Sequence, residues 1–223
     1  KLAEVLEVSD RIAVLRDGKL VLEENVSETS EKMLAKAMVG RSFKMPIRKD
    51  LPAGESLLAL ENVSVLSPDR GRILDRASLS VNSREVVGLA GISGNGQRIL
   101  ADVINGMQSP NSGTVFLYGK KIKRFNPREM LVKKVGRIPE DRQGFGVVGD
   151  MNLEENAITE VYKNKDYSKL GFLNLKTRNN FAKKIAHEFD IRGVKKNSPV
   201  RLLSGGNMQK LILGRVLLQE PKL

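Results

Sequence analysis

Two glycine-rich turns, each leading into a helix-periodic apolar run, constrain this chain more than any other feature. They are Gly91-Ile92-Ser93-Gly94-Asn95-Gly96-Gln97-Arg98 and Leu203-Ser204-Gly205-Gly206-Asn207-Met208-Gln209-Lys210. Before the first runs Arg84 to Ala90, a short apolar stretch of strand type. After it, Ile99, Leu100, Val103, Ile104 and Met107 recur at helical spacing. The order strand, glycine turn, helix is the setting of a phosphate-holding loop. Glycines let several backbone N–H groups point inward, and the helix start adds partial positive charge.

The first turn keeps the glycine frame of G-x-x-x-x-G-K-[ST] and departs from it afterwards. Gly91 and Gly96 stand at the frame positions, with Ser93, Gly94 and Asn95 between them. Gln97 stands where the lysine belongs, so it can hydrogen-bond a phosphate without neutralising it. Arg98 stands where the Mg²⁺-binding hydroxyl belongs, and a guanidinium ligates no cation. The expectation is anion or nucleotide binding with little or no hydrolysis. Taken alone, the turn is also compatible with glycines that serve packing only.

The second turn is followed by Leu211, Ile212, Val216 and Leu217 at helical spacing, ending before Pro221. Ser204, Gly205 and Gly206 therefore open a helix with N–H groups free to hold an anion. A plain Ser-Gly-Gly cap accounts poorly for its position a domain's length after a phosphate-type loop.

With these residues in view, the chain resembles the ABC-type ATPases. Leu203 to Lys210 is similar to their signature loop, in the variant of the tandem ATPase subunits of bacterial sugar and nucleoside importers. Arg137-Ile138-Pro139-Glu140-Asp141-Arg142 resembles the segment at the Q-loop of the second domain in such subunits, with Glu140 where most relatives carry glutamine. Asn152 to Asn156 and Ser112 to Gly119 resemble further segments in the right order. The resemblance implies an α/β, P-loop NTPase core with an antiparallel β subdomain and a helical signature-bearing subdomain. It also implies that residues 1–41 are the tail of a first ATPase domain, 42–55 a linker, and 56–223 an incomplete second domain that ends before its acidic strand.

ATP and Mg²⁺ are the implied cofactors, with no catalytic or metal residue expected in the stretch itself. Gly91, Ser93, Gly94, Asn95, Gly96, Gln97, Arg98, Glu140, Ser204, Gly205, Gly206 and Gln209 are the implied nucleotide contacts. The implied partners are the first ATPase domain or a second copy, membrane permease subunits and, through them, a substrate-binding protein. The implied location is the cytoplasmic face of the membrane. A soluble ABC ATPase acting on ribosomes or nucleic acid, and a non-catalytic nucleotide-binding module, remain as alternatives. Glu140 to Val148 is expected to take part in coupling to the membrane subunits. No adenine-stacking aromatic is evident near Leu66 to Arg70.

Composition narrows the field. Among 223 residues there is no cysteine, which excludes a disulfide framework. No apolar run is long enough to span a bilayer. The formal net charge is +12, with clustering at Lys120, Lys121, Lys123, Arg124, Arg128, Lys133 and Lys134. Such a face suits nucleic acid, an anionic membrane or simply solvent. Phe125 is the only aromatic nearby, which counts against base stacking. The single histidine, His187, lies in a helical stretch and reads as solvent-facing. Near the start, Ile12 to Arg16 and Lys19 to Leu22 flank Asp17-Gly18, a hairpin pattern. Ser30 to Val39 suggests a short helix.

Overall fold

The computed structural model describes residues 2–40, 51–67 and 71–223, and for Arg72 the backbone alone. The chain divides into two compact units, Lys1–Leu51 and Pro52–Leu223. Most of the linker expected over residues 42–55, and Pro68 to Arg70 of the adenine-side stretch, lie outside the described residues.

The first unit is a hairpin packed by helices. It comprises α1 (Leu2–Val8), β1 (Arg11–Arg16), β2 (Lys19–Asn25) and α2 (Glu31–Val39). Asp17 and Gly18 both take positive φ, 52° and 75°, the turn geometry that matches the twist of paired strands. Alternation along β1 turns Ile12 and Val14 inward onto Leu34 of α2. Ser30 caps α2 by accepting from the Met33 amide, and Gly40 closes it in the left-handed conformation.

The second unit is built on one antiparallel sheet in the order β4-β3-β5-β6. Its strands are β3 (Ser56–Ser67), β4 (Gly71–Asn82), β5 (Ser112–Leu117) and β6 (Lys120–Lys121). Leu58, Leu60, Val63 and Val65 of β3 and Val115 and Leu117 of β5 form a core with Leu100 and Val103 of α3 (Gln97–Ile104) and Met130 of α4 (Pro127–Val132). Gly113 sits at φ 87° where a β-carbon would overlap the backbone of Glu61 and Asn62, so only glycine lets these strands meet.

A separate core belongs to the helices. It gathers α5 (Leu153–Ala157), α6 (Leu175–Glu188) and α7 (Gly205–Leu217), with a small hairpin of β7 (Ser168–Lys169) and β8 (Phe172–Leu173) before α6. Ala182 and Ile185 of α6 face Met208, Leu211 and Ile212 of α7. A β-carbon at Gly214 would press on Ile185 and Phe189 at 2.7–2.9 Å, so α6 and α7 touch along that line.

The antiparallel sheet and the helical layer match expectation. The strand expected over Arg84 to Ala90 does not form: β4 ends at Asn82, a turn follows, and residues 85–90 carry no strand. Val86 is 78% and Leu89 55% exposed. The run has the composition of a strand covered on both faces, and such strands hold only when neighbours pair with them. None of the described residues does so.

Candidate functional site

The first glycine turn keeps its helix and lacks its strand. Gly94 and Gly96 both sit at φ 96°, and Asn95 donates its amide to the Ile92 carbonyl at 3.2 Å. Gly96 is buried beneath the turn, while Gly91, Ile92, Ser93, Gly94 and Asn95 are exposed. Gly96 precedes α3 without any side-chain cap, leaving the first amides of the helix open. Gln97 folds back over the turn, donating its side-chain amide to the Ile92 carbonyl at 3.0 Å. That amide lies where a β-carbon on Gly91 would stand. The residue that replaces lysine thus occupies the interior of the turn.

Arg98 points the other way. Its guanidinium lies 3.9 Å from the Asp102 carboxylate one helical turn on and stacks 5.4 Å over the Phe145 ring. Phe145 belongs to the segment around Glu140, and between that segment and α3 lies a cleft of about 420 Å³. Gln97, Arg98, Asp102, Glu140, Asp141 and Phe145 line it. Glu140 is exposed at its edge. The structure therefore brings Gln97, Arg98 and Glu140 into one cleft.

The segment from Arg142 to Gly146 is a π-type turn. Asp141 opens it, accepting from the amides of Gln143 and Gly144 at 3.0 and 2.9 Å. Such turns interrupt regular backbone and recur at functional sites. Arg142 leaves this turn toward the second glycine motif. Its guanidinium donates to the Gly205 carbonyl at 3.0 Å and to Gln209 Oε1 at 3.3 Å.

The second motif forms as expected. Ser204 is the N-cap of α7, its hydroxyl accepting from the Asn207 amide at 3.3 Å. Gly205 and Gly206 are the first two helical residues, so their amides have no intrahelical acceptor. A β-carbon on Gly206 would meet nothing within 4 Å, so the approach to this helix start is open. Asn207 exchanges two hydrogen bonds with the Arg192 backbone, at 3.2 and 2.9 Å. Lys210 donates to the Asp190 carbonyl at 2.6 Å. The Asp190 carboxyl is held below the usual aspartate range, first by its hydrogen bond from Arg192 and further by the charges of Arg192 and Lys210.

Between the Glu140 to Val148 stretch, α5 and α7 lies a polar network that sequence reasoning missed. Asn156, fully buried, accepts from the Val148 amide at 2.8 Å and donates to the carbonyls of Val148, Met151 and Asn152. Arg215, 3% exposed, donates to the carbonyls of Gly146 and Asn156, to Thr159 Oγ1, and to Glu160 Oε1 at 3.2 Å. Burial lowers the affinity of its guanidinium for its proton, against the pull of Glu160. The signal was present: Arg215 lies one helical turn after Leu211, on the buried stripe of α7. His187, as expected, is exposed on α6.

The open helix start at Gly205 and Gly206, with the Arg142 guanidinium beside it, fits a phosphate. At the first turn the hydroxyl that would ligate Mg²⁺ is missing. Arg98 occupies the hydroxyl position, and among the described residues no group of three His, Cys, Asp or Glu side chains converges.

Comparison with known proteins agrees with this fold. The ABC transporter family model matches residues 74–223. The chain is 38% identical over 97% of its length to a guanosine import ATP-binding protein of Bacillus subtilis, and 35% identical over its whole length to a nucleoside import ATP-binding protein of Lactococcus lactis. A ribose import ATP-binding protein of Caldanaerobacter subterraneus is 32% identical over the whole chain. The chain spans 42–44% of the length of these relatives. The fold is that of ATP-binding cassettes. A nucleotide-free cassette from an ABC transporter superposes with a TM-score of 0.58 at 23% identity, covering 74% of this chain and 66% of that one. The ADP conformation of the cassette MJ1267 gives 0.55 at 23%, covering 75% and 66%.

Proposed function

The chain belongs to the ABC transporter family, and from that premise we propose that it is part of the ATP-binding subunit of an importer for sugars or nucleosides. Likeness along essentially the whole chain to guanosine, nucleoside and ribose import proteins supports this reading. The observation that carries it is the Ser204-Gly205-Gly206 helix start, open to approach and braced by Arg142. In this reading residues 1–41 are the tail of one ATPase domain, 42–55 a linker and 56–223 most of a second.

Two phosphate-facing turns then do different work. Ser204, Gly205 and Gly206 complete a site whose nucleotide is held by the phosphate loop of a partner domain, the first domain of the same subunit or a second copy. ATP bound there supplies the energy that closes the two domains. Amides at the start of α7 gain their anion only on closure, and such differential contact is what shifts a conformational population. The Gly91 turn forms a holding site. Gln97 contributes a hydrogen bond and no charge, and Arg98 cannot ligate Mg²⁺. Any metal-assisted step belongs to groups other than Gln97 and Arg98.

The stretch from Glu140 to Val148 couples these turns to membrane permease subunits, and through them to a substrate-binding protein. Its position supports this: it touches Arg98 through Phe145, the start of α7 through Arg142, and buried Arg215 through the Gly146 carbonyl. The subunit sits at the cytoplasmic face of the membrane as a peripheral component. Among the described residues no helix is long and apolar enough to cross it.

The test is asymmetric. In a protein carrying both ATPase domains, Ser204→Arg should reduce ATP turnover by about a hundredfold or more, the scale of losing a preorganised donor set. Gln97→Ala should change turnover less than about threefold, as expected when a group donates one hydrogen bond outside the chemistry. Equal losses, measured by phosphate release, would remove the distinction between the two sites.

A further inference from the structure

Residues 120–134 hold seven lysines and arginines and one acid, Glu129, which is half of the chain's formal net charge of +12. All seven are exposed, and Glu129 is half-buried. None of the seven forms an ion pair with a described residue. Only Lys134 has its side chain engaged, donating to the Gln219 carbonyl at 2.6 Å. Elsewhere in the chain exposed cations do find acids, as in Lys184–Glu188 and Arg201–Asp150.

The fold brings the two ends of this basic segment together. Lys120 and Lys121 form the edge strand β6, and the Tyr118 hydroxyl beside them donates to the Lys133 carbonyl at the end of α4, 3.0 Å away. That bond draws the strand end and the helix end together. Lys222 adds its ammonium 5.9 Å over the Tyr118 ring. On α4, Arg128 and Val132 are one turn apart on the same face, and Val132 is 75% exposed. Lysines on an edge strand guard against stray strand pairing, which explains Lys120 and Lys121 and leaves Lys123, Arg124, Arg128 and Lys133 without a reason.

We propose that this face, centred on Lys121, Lys123, Arg124, Arg128 and Lys133, binds the anionic surface of a lipid bilayer directly. Unpaired cations on long stems, with an exposed valine among them, match a charged headgroup layer over an apolar interior. Nucleic acid fits less well. Phe125, the one aromatic in the segment, is half-buried against the sheet core, so the segment itself presents no ring for a base to stack on. The choice of a bilayer also rests on the importer reading, which puts the protein at a membrane. The contact is separate from any docking on permease subunits, because it needs only lipid.

The experiment is vesicle co-sedimentation of this chain without nucleotide, so the result is independent of whether the glycine turns hold phosphate. Vesicles of phosphatidylcholine are compared with vesicles in which roughly a third of the lipid is phosphatidylserine. Binding is expected only to the anionic vesicles and is expected to fall steeply with salt. A variant carrying Lys121→Gln, Lys123→Gln, Arg124→Gln and Lys133→Gln should lose more than a hundredfold in affinity, at about fivefold per cation removed. A control carrying Lys176→Gln, Lys183→Gln, Lys195→Gln and Lys196→Gln removes the same charge from elsewhere and should lose less than about tenfold by the same scale. Equal losses in the two variants would overturn the proposal in favour of net charge alone. Equal binding to neutral vesicles, or displacement from anionic vesicles by equimolar single-stranded RNA, would also overturn it. Thermal melts of both variants establish that each is folded.

Discussion

Arg215 is the most consequential single residue in the helical layer. Its buried guanidinium serves two backbone carbonyls, a hydroxyl and the partly exposed Glu160 carboxylate at once. Removing it takes the donor from the Gly146 carbonyl and breaks the network at its hub, which costs more than the ion pair itself contributes. Arg215→Ala should lower the free energy of unfolding by about 3 kcal/mol, read from urea midpoints. Asp190 offers a milder effect with a definite sign. Arg192 and Lys210 hold its carboxyl below the ordinary aspartate value. The contribution is present in full above the unfolded-state value and is lost as pH falls through the lowered folded value. A carboxyl-carbon NMR titration should place Asp190 below the exposed aspartates of the chain, and Arg192→Ala should return it toward them.

Among the elements, those stabilised by local chemistry were legible in sequence. The Asp17-Gly18 hairpin, the Ser30 cap and the Ser204 helix start each depend on a few adjacent residues whose preferences agree. Glycine spacing and helical periodicity marked both turns, and the resemblance to ABC-type ATPases marked the Glu140 segment. Arg142 was visible as a residue of that segment, but its reach to Gly205 and Gln209 joins positions more than sixty residues apart, and no periodicity encodes it. The strand before Gly91 failed for the opposite reason: its composition is right, but a strand is a property of at least two segments. Gly214 shows a third kind of hidden information. It reads as a weak point in a helix, yet it lets α6 and α7 approach until Ile185 and Phe189 lie against its backbone. Gly214→Val should therefore destabilise by about 2 kcal/mol through overpacking, although valine removes a flexible residue from a helix. Equilibrium unfolding in urea checks the sign.

At the scale of the molecule, the second unit has two cores, one under the sheet and one among the helices, and both glycine turns open at surfaces rather than in an enclosed pocket. One unpartnered apolar surface is the run from Val86 to Ile92, where Ile92 is 80% exposed. Contiguous apolar exposure of this kind drives association. Light scattering should show the chain self-associating at micromolar concentration, and Leu89→Lys should raise the concentration needed severalfold, since a charge on such a face opposes pairing. The same run has a further consequence. None of the described residues hydrogen-bonds the backbone of residues 86–90, so their amides should exchange with deuterium as fast as those of an unstructured peptide. Once an extended segment lies alongside, those amides alone should slow by orders of magnitude. Because they lead directly into Gly91, the isotope content of this short peptide becomes a clock for assembly, reporting when the turn acquires the strand that was missing beneath it.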